Sequence, residues 1–303
     1  MSTLIQAQSL TKRYGSKLAL DDVSFEITKG APVALVGPNG AGKTTLFSLL
    51  CGYILPTHGQ LNILGQKPGS SALFGKLSAL PQDAQLDPRF SITHQLAFYG
   101  QLQGLSAKQS QTEALRVLDL VGLTEVAQQR SDDLSHGMRK RVTIGQALIG
   151  KPEIVMLDEA TAGLDPIHAR EVRELVANLS DEATFILSSH DLTELERLCG
   201  QVLHLNKGTL TEHQANNTQQ QTQHFMTILF AQNYDHIERT IQTLPAVSRV
   251  YMSQAKEYVI EYQKSDDLFD IDLLNFCHQQ GWRYRHLVNG HTLENQIFTQ
   301  EKV

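Results

Sequence analysis

The residues Gly37-Pro38-Asn39-Gly40-Ala41-Gly42-Lys43-Thr44 fit the pattern G-x-x-x-x-G-K-[ST], and this loop constrains the fold more than any other feature of the chain. The pattern requires a buried strand before it and a helix after it. Val33–Val36 supplies the apolar run, and Lys43 to Cys51 reads as the helix. The glycines let backbone N–H groups turn inward as an anion nest, and the helix N-terminus adds positive potential. Lys43 sets a point charge against the β- and γ-phosphates of a nucleotide, and the Thr44 hydroxyl is placed to ligate Mg²⁺. Thr45 follows in the same first turn.

The run Ile154-Val155-Met156-Leu157-Asp158-Glu159 reads as a buried strand with two carboxylates at its C-terminal end, the end where open α/β sheets bind ligands. Asp158 is placed to hold Mg²⁺ and Glu159 to orient and polarise an attacking water. Taken alone, such a strand is common. Paired with the phosphate loop, it marks a nucleotide triphosphatase without saying which.

Around these elements the first two thirds of the chain alternate strand-like runs (Val33–Val36, Ile154–Leu157, Thr184–Leu187) with helix-like segments (Pro166 to Asn178, Asp191 to Leu198). Between Pro88 and Gly150 the rhythm turns helical: Ile92 to Gln101, Ser106 to Val121 and Ser135 to Ile149. The stretch from Thr211 to His224, rich in Gln, Asn, Thr and His, reads as a linker. After it come a strand (Phe225–Phe230), a helix (Tyr234–Leu244), two strands (Val247–Ser253, Tyr258–Gln263), a helix (Asp267–Gln279) and a strand (Trp282–Val288), the split βαβ order. A final helix is expected over Thr292 to Thr299. The expected division is 1–212, with a helical part at about 88–150, then a linker at 213–224 and a small α+β domain at 225–303.

Composition narrows the field. Of 303 residues, 41% are hydrophobic and 19% charged, with a formal net charge of −6, so a protein built to grip nucleic acid is not expected. No stretch reaches the ~18 consecutive apolar residues of a spanning helix, and Met1 to Gln8 does not read as a secretory signal. Three separated cysteines (Cys51, Cys199, Cys277) fit free thiols in a reducing compartment better than a disulfide framework or a zinc site.

Leu134-Ser135-His136-Gly137-Met138 resembles the L-S-G-G-Q signature of ABC-type ATPases and precedes Asp158 at the spacing of that family. The resemblance covers roughly Leu4 to Leu210 and brings further matches in order. Tyr14 matches the aromatic that stacks on adenine. Gln82 matches the glutamine between the α/β core and the helical part, an ATP and Mg²⁺ contact. Gly163-Leu164-Asp165 matches the D-loop after the carboxylate strand, and His190 the histidine that meets the γ-phosphate. Taken singly, Tyr14 is an ordinary loop aromatic, Gln82 a surface glutamine and His190 a helix-cap neighbour; only their common order lifts them. The fold implied is a P-loop NTPase (ABC ATPase) α/β domain with a helical insertion, plus a small C-terminal α+β, ferredoxin-like domain.

The resemblance also implies a mechanism. ATP and Mg²⁺ are held by residues 37–45, Tyr14, Gln82 and Asp158. Glu159, His190 and Lys43 carry out hydrolysis. Ser135, His136 and Gly137 reach across to the ATP of a second copy, so that ATP closes a homodimer. The C-terminal unit, ending in Thr292-Leu293-Glu294-Asn295-Gln296-Ile297-Phe298, looks like that of ATPase subunits serving ABC-2-type exporters. This implies a separate membrane permease and a cytoplasmic, membrane-peripheral location. Coupling helices of the permease would dock beside Gln82, against Phe90, Leu96, Phe98 and Tyr99, each of which reads equally well as helix core. The signature departs from the pattern at His136 and Met138, which implies a slower but competent site; Ala160 replaces a common proline. The rival readings are a non-transport ABC ATPase acting on soluble macromolecules and a regulatory protein that binds ATP without turnover. The first lacks its usual tandem ATPase domains, zinc modules or coiled coils. Intact Lys43, Asp158, Glu159 and His190 argue against the second.

Overall fold

The computed structural model describes residues 2–190, 195, 198–214, 224–262 and 269–289. The chain divides into two compact units, 1–215 and 216–303.

The first unit opens with a long hairpin, β1 (Thr3–Tyr14) and β2 (Lys17–Thr28). Then come β3 (Val33–Val36), α1 (Lys43–Leu50) and β4 (His58–Ile63), the last pairing antiparallel with β1. These strands before and after β3 are not evident from the sequence pattern. Ser9 takes a left-handed φ of 48° and the β1–β2 register shifts repeatedly, so the alternation of the sequence is broken where the strand bulges.

Next come β5 (Leu77–Leu80), the helical arm α2 (Ile92–Leu102), α3 (Ala107–Leu120) and α4 (His136–Ala147), and β6 (Ile154–Leu157). They are followed by α5 (Pro166–Asn178), β7 (Thr184–Ser189), β8 (Gln201–Asn206) and β9 (Thr209–Gln214). The six-stranded sheet runs β5-β6-β7-β3-β8-β9, parallel except for β9. Strands β3, β6 and β7 are buried along their whole length, which explains why they read as unbroken apolar runs.

Helix α1 lies in a core shared by both sheets. Leu46, Leu49 and Leu50 pack with Ile5, Leu20 and Ile63 of the antiparallel sheet and with Leu35, Met156 and Leu205 of the parallel one. Serine caps start the arm. Ser91 accepts the His94 N–H at the head of α2, and Ser106 forms a capping box with Gln109 at the head of α3.

The expected linker begins too early. Through Gln214 the chain is still β9, with Val202 opposite His213 and Gln201 opposite Gln214. An edge strand is held by its backbone ladder, so a polar composition does not prevent pairing. At the far end, His224 already belongs to the next strand; residues 215–223 lie outside those described.

The second unit is a four-stranded antiparallel sheet ordered β11-β12-β10-β13, from β10 (His224–Phe230), β11 (Val247–Gln254), β12 (Glu257–Tyr262) and β13 (Tyr284–Asn289). Helices α6 (Ile237–Ile241) and α7 (Phe269–Gln279) complete the ferredoxin-like order. Helix α6 is shorter than Tyr234–Leu244 because His236 takes a left-handed φ of 58° immediately before it. Met226, Ile228, Phe230, Ile237, Ile241, Ile260, Phe269 and Leu273 form the core of this unit. The expected helix at 292–299 lies outside the described residues.

Leu46 is 1% exposed where the two sheets meet, so Leu46→Ala is expected to cost ~2–5 kcal/mol through the cavity it leaves. Urea unfolding followed by the first unit's signal checks this; a midpoint equal to the parent's would contradict the shared core.

Candidate functional site

The phosphate loop is fixed by close approach to the parallel sheet. A Cβ on Gly37 would lie 2.1 Å from the Leu205 carbonyl oxygen of β8, so only glycine fits. Gly42, at φ 116°, immediately precedes α1, and a Cβ there would meet the Ala19 carbonyl oxygen at 2.7 Å. No side chain caps α1, which leaves its first-turn N–H groups to face a ligand at its N-terminus. Lys43 is 8% exposed. Its Nζ donates to the Gly37 carbonyl at 2.6 Å and lies 3.8 Å from Glu159 Oε1, as a buried ammonium requires.

The carboxylates stand at the end of β6, beside the end of β7. Ser188 of β7 joins them: its Oγ donates to Asp158 Oδ1 and accepts the Glu159 N–H at 2.9 Å. Glu159 holds a left-handed φ of 47°, a conformation that costs on the order of 1–3 kcal/mol and persists when the surroundings over-determine it. Its carboxylate is tied on both sides, Oε1 facing Lys43 and Oε2 2.8 Å from His190 Nδ1. Glu159 is 12% exposed and His190 60%, so the histidine reaches the carboxylate from the solvent side.

Lys43, Asp158 and Glu159 line one cleft of about 240 Å³; Ser188 and His190 are not among its lining residues but hold its two carboxylates. Of the residues singled out from the sequence, Tyr14, Pro38, Asn39, Gly40, Gly42, Lys43, Thr44, Thr45, Gln82, Asp158 and Glu159 line it. Gly37 and Ala41 are buried within the loop itself. Tyr14 is 48% exposed at the end of β1, with Lys12 Nζ 5.1 Å from its ring centroid.

Ser135, His136 and Gly137 do not line this cleft. Ser135 caps α4 by accepting the Met138 N–H at 3.2 Å, His136 is exposed and Gly137 is buried. Asp165 caps α5 and holds His168 Nδ1 at 2.5 Å. The Asp165 carboxyl is thereby lowered and the His168 imidazole raised from their ordinary values, chiefly by that side-chain hydrogen bond.

Lys17 and Ala19, both on β2, line the cleft but cannot be picked out from sequence until the hairpin is known. Ser188 was within reach, as a polar residue closing the apolar run Thr184–Leu187 at a sheet's ligand end. Of the apolar residues expected to meet a permease, Leu96 is wholly buried between the arm helices and is core. Phe90 and Phe98 are exposed and Tyr99 is half-buried.

The family model described as ABC transporter matches residues 20–162, a span that includes the loop, the signature and both carboxylates. An uncharacterised ABC transporter ATP-binding protein of Bacillus subtilis is 33% identical over 85% of this chain and 86% of its own length. The chain belongs to the ABC transporter family. It is an ATP-binding, ATP-hydrolysing protein of the kind that serves transporters. The linearmycin resistance ATP-binding protein of B. subtilis is 34% identical over 68% of each chain. A Nod factor export ATP-binding protein of Rhizobium johnstonii is 36% identical over 67% of each. Among solved structures, cbiO1 from Clostridium perfringens, part of an ABC transporter complex, superposes with a TM-score of 0.66 at 25% identity, over 71% of this chain and 90% of its own. Among the described residues, no helix is long and apolar enough to cross a membrane.

Ser188→Ala would strip Asp158 of a donor and leave the Glu159 N–H without its acceptor. At ~1–3 kcal/mol for an unsatisfied buried group, the ABC ATPase is expected to lose about tenfold or more in kcat. Steady-state phosphate release checks this; an unchanged kcat would show the serine to be incidental.

Proposed function

We propose that two copies of this chain close face to face on ATP and drive a separate membrane permease in the direction of export. The observation that carries the two-copy reading is the division of the family's motifs. The loop, Gln82, Asp158 and Glu159 line one cleft and His190 bonds to its Glu159 from the solvent side, while Ser135–Gly137, the head of α4, neither line it nor bond to a residue that does. A signature that does not face its own cleft is free to face another copy's. The helix N-terminus that Ser135 caps then directs its positive end at that copy's γ-phosphate. The names of the linearmycin resistance and Nod factor export relatives favour export.

In this reading Tyr14 stacks on the adenine, and the loop amides with Lys43 hold the β- and γ-phosphates. Thr44, Gln82 and Asp158 are hard oxygen donors lining one cleft, which suits Mg²⁺. When bound, that ion neutralises phosphate charge. Glu159 accepts a hydrogen bond from the attacking water and takes its proton as the water oxygen bonds to the γ-phosphorus and the bond to the β,γ-bridging oxygen breaks. His190 steadies the Glu159 carboxylate from the solvent side and meets the γ-phosphate. Asp165 presents the D-loop to the other copy. Loss of the γ-phosphate removes the bridge between the copies, and their separation does the work on the permease.

Glu159→Gln is expected to keep ATP affinity, lose about 10²–10⁴-fold in turnover, and remain dimeric with ATP and Mg²⁺ in sedimentation. From gently solubilised membranes of its own cells it is expected to carry a polytopic membrane protein with it. Parental turnover would remove Glu159 from the mechanism. Ribosomes or a soluble complex in place of the membrane protein would overturn the transport reading.

A further inference from the structure

Asp165 does two things at once. Its Oδ1 accepts the Ile167 and His168 N–H groups at 3.0 and 3.2 Å, capping α5, and its Oδ2 holds the His168 ring through Nδ1 at 2.5 Å. The clamped ring lies against the signature. A Cβ built on Gly137 would sit 2.6 Å from His168 Cδ2, 3.3 Å from Cγ and 3.4 Å from Nε2. The signature glycine therefore rests on the edge of an imidazole that the D-loop carboxylate holds in place. One turn further along α4, the charge of Arg141 acts against a protonated His168, and its Nε is buried with no hydrogen-bond partner among the described residues.

We propose that His168 is a positioning residue for the signature: its ring, clamped by Asp165, is the stop against which Gly137 sits, and it sets where Ser135–Gly137 meets a second copy's nucleotide. The inference rests on the two-copy reading above. Met138 has no side-chain hydrogen-bond donor or acceptor of the kind a glutamine offers, so packing under Gly137 is left to place the head of α4. Because one imidazole touches both the D-loop and the signature, the two segments that face the other copy are held in fixed register.

Asp165 bonds to the ring, and the charges of Glu171 on α5 and Arg141 on α4 also act on it; the two carboxylates favour the imidazolium and Arg141 opposes it. The ion pair is complete where Asp165 is ionised and His168 protonated. It is lost as pH rises through the raised value of His168, leaving a neutral hydrogen bond.

The test uses full-length Glu159→Gln as parent, with ATP and Mg²⁺, and reads dimer formation by sedimentation across protein concentration. Adding His168→Ala is expected to weaken the ATP-driven dimer about tenfold or more, within the span of ordinary coupling energies. The ATP affinity of the dilute monomer and its melting temperature should stay at the parent's values, because the cleft is elsewhere. Gly137→Ala should weaken the dimer as well. Combined with His168→Ala, it should cost less than the two single effects together, since the ring its Cβ meets is gone. His168→Gln, which retains a donor for Asp165, should remove the fall in dimerisation on the alkaline side. Parental dimerisation by His168→Ala would overturn the proposal. So would a parallel fall in ATP affinity and melting temperature, which marks a merely structural role, or strict additivity with Gly137→Ala. A parent that stays monomeric with ATP would overturn the two-copy reading itself, and this inference with it.

Discussion

The contact on which the site depends is that of Gly37 with the Leu205 carbonyl oxygen, where no side chain fits. It seats the phosphate loop directly on the end of β8, and the parallel sheet does the rest. In a sheet ordered β6-β7-β3-β8, parallel strands deliver all their C-terminal ends to one edge. The carboxylates after β6, the serine and histidine closing β7, and the loop after β3 therefore arrive side by side, although they are far apart in sequence. An antiparallel arrangement of the same strands would send alternate ends to opposite edges and disperse the site.

Charge and strain at that edge are mutually supported. Lys43 is almost wholly buried, and a cation there is tolerable only because the Gly37 carbonyl and Glu159 face it. Glu159 in turn bends into a left-handed conformation that its N–H bond to Ser188 holds. Ser188 completes the circuit through Asp158. Two strand ends are thus tied by hydrogen bonds through Ser188, and the loop is tied to them by the Lys43–Glu159 ion pair. This keeps a carboxylate at the mouth of the cleft with one oxygen on the lysine and the other on His190.

What the sequence discloses and what it hides follow from this geometry. The loop and the two carboxylates are legible because each is contiguous, and fully buried strands announce themselves as apolar runs. Ser188 is harder, because its place beside Asp158 depends on the register that sets Leu157 opposite Leu187. Lys17 and Ala19 depend on a hairpin whose bulges break the period-two pattern. Strand β9 is hidden for the opposite reason: a polar edge strand carries almost no apolar pattern at all. Leu96 shows the limit of counting apolar residues on a helix. The exposed Phe98 and the buried Leu96 are only two positions apart, and the packing of α2 against α3 decides which faces water.

Helix α5 is pinned to the helical arm at both ends by different chemistry. At its start the His168 ring lies under Gly137 of α4. Beyond its end, Arg116 of α3 reaches Glu182 at 3.3 Å while also binding Glu113 and the Leu148 carbonyl. The Arg116–Glu182 pair is partly exposed and by itself worth only ~0.2–1 kcal/mol. Arg116 is nevertheless held in place by its bidentate grip on Glu113, so the tie needs little further ordering of that side chain. Two ties at the ends of one rigid helix resist rotation far better than one. A displacement of the arm must then carry the D-loop with it at one end and the turn leading into β7 at the other. Because β7 carries Ser188 and leads straight to His190, the same helix connects the position of the arm to the residues that hold Asp158 and Glu159.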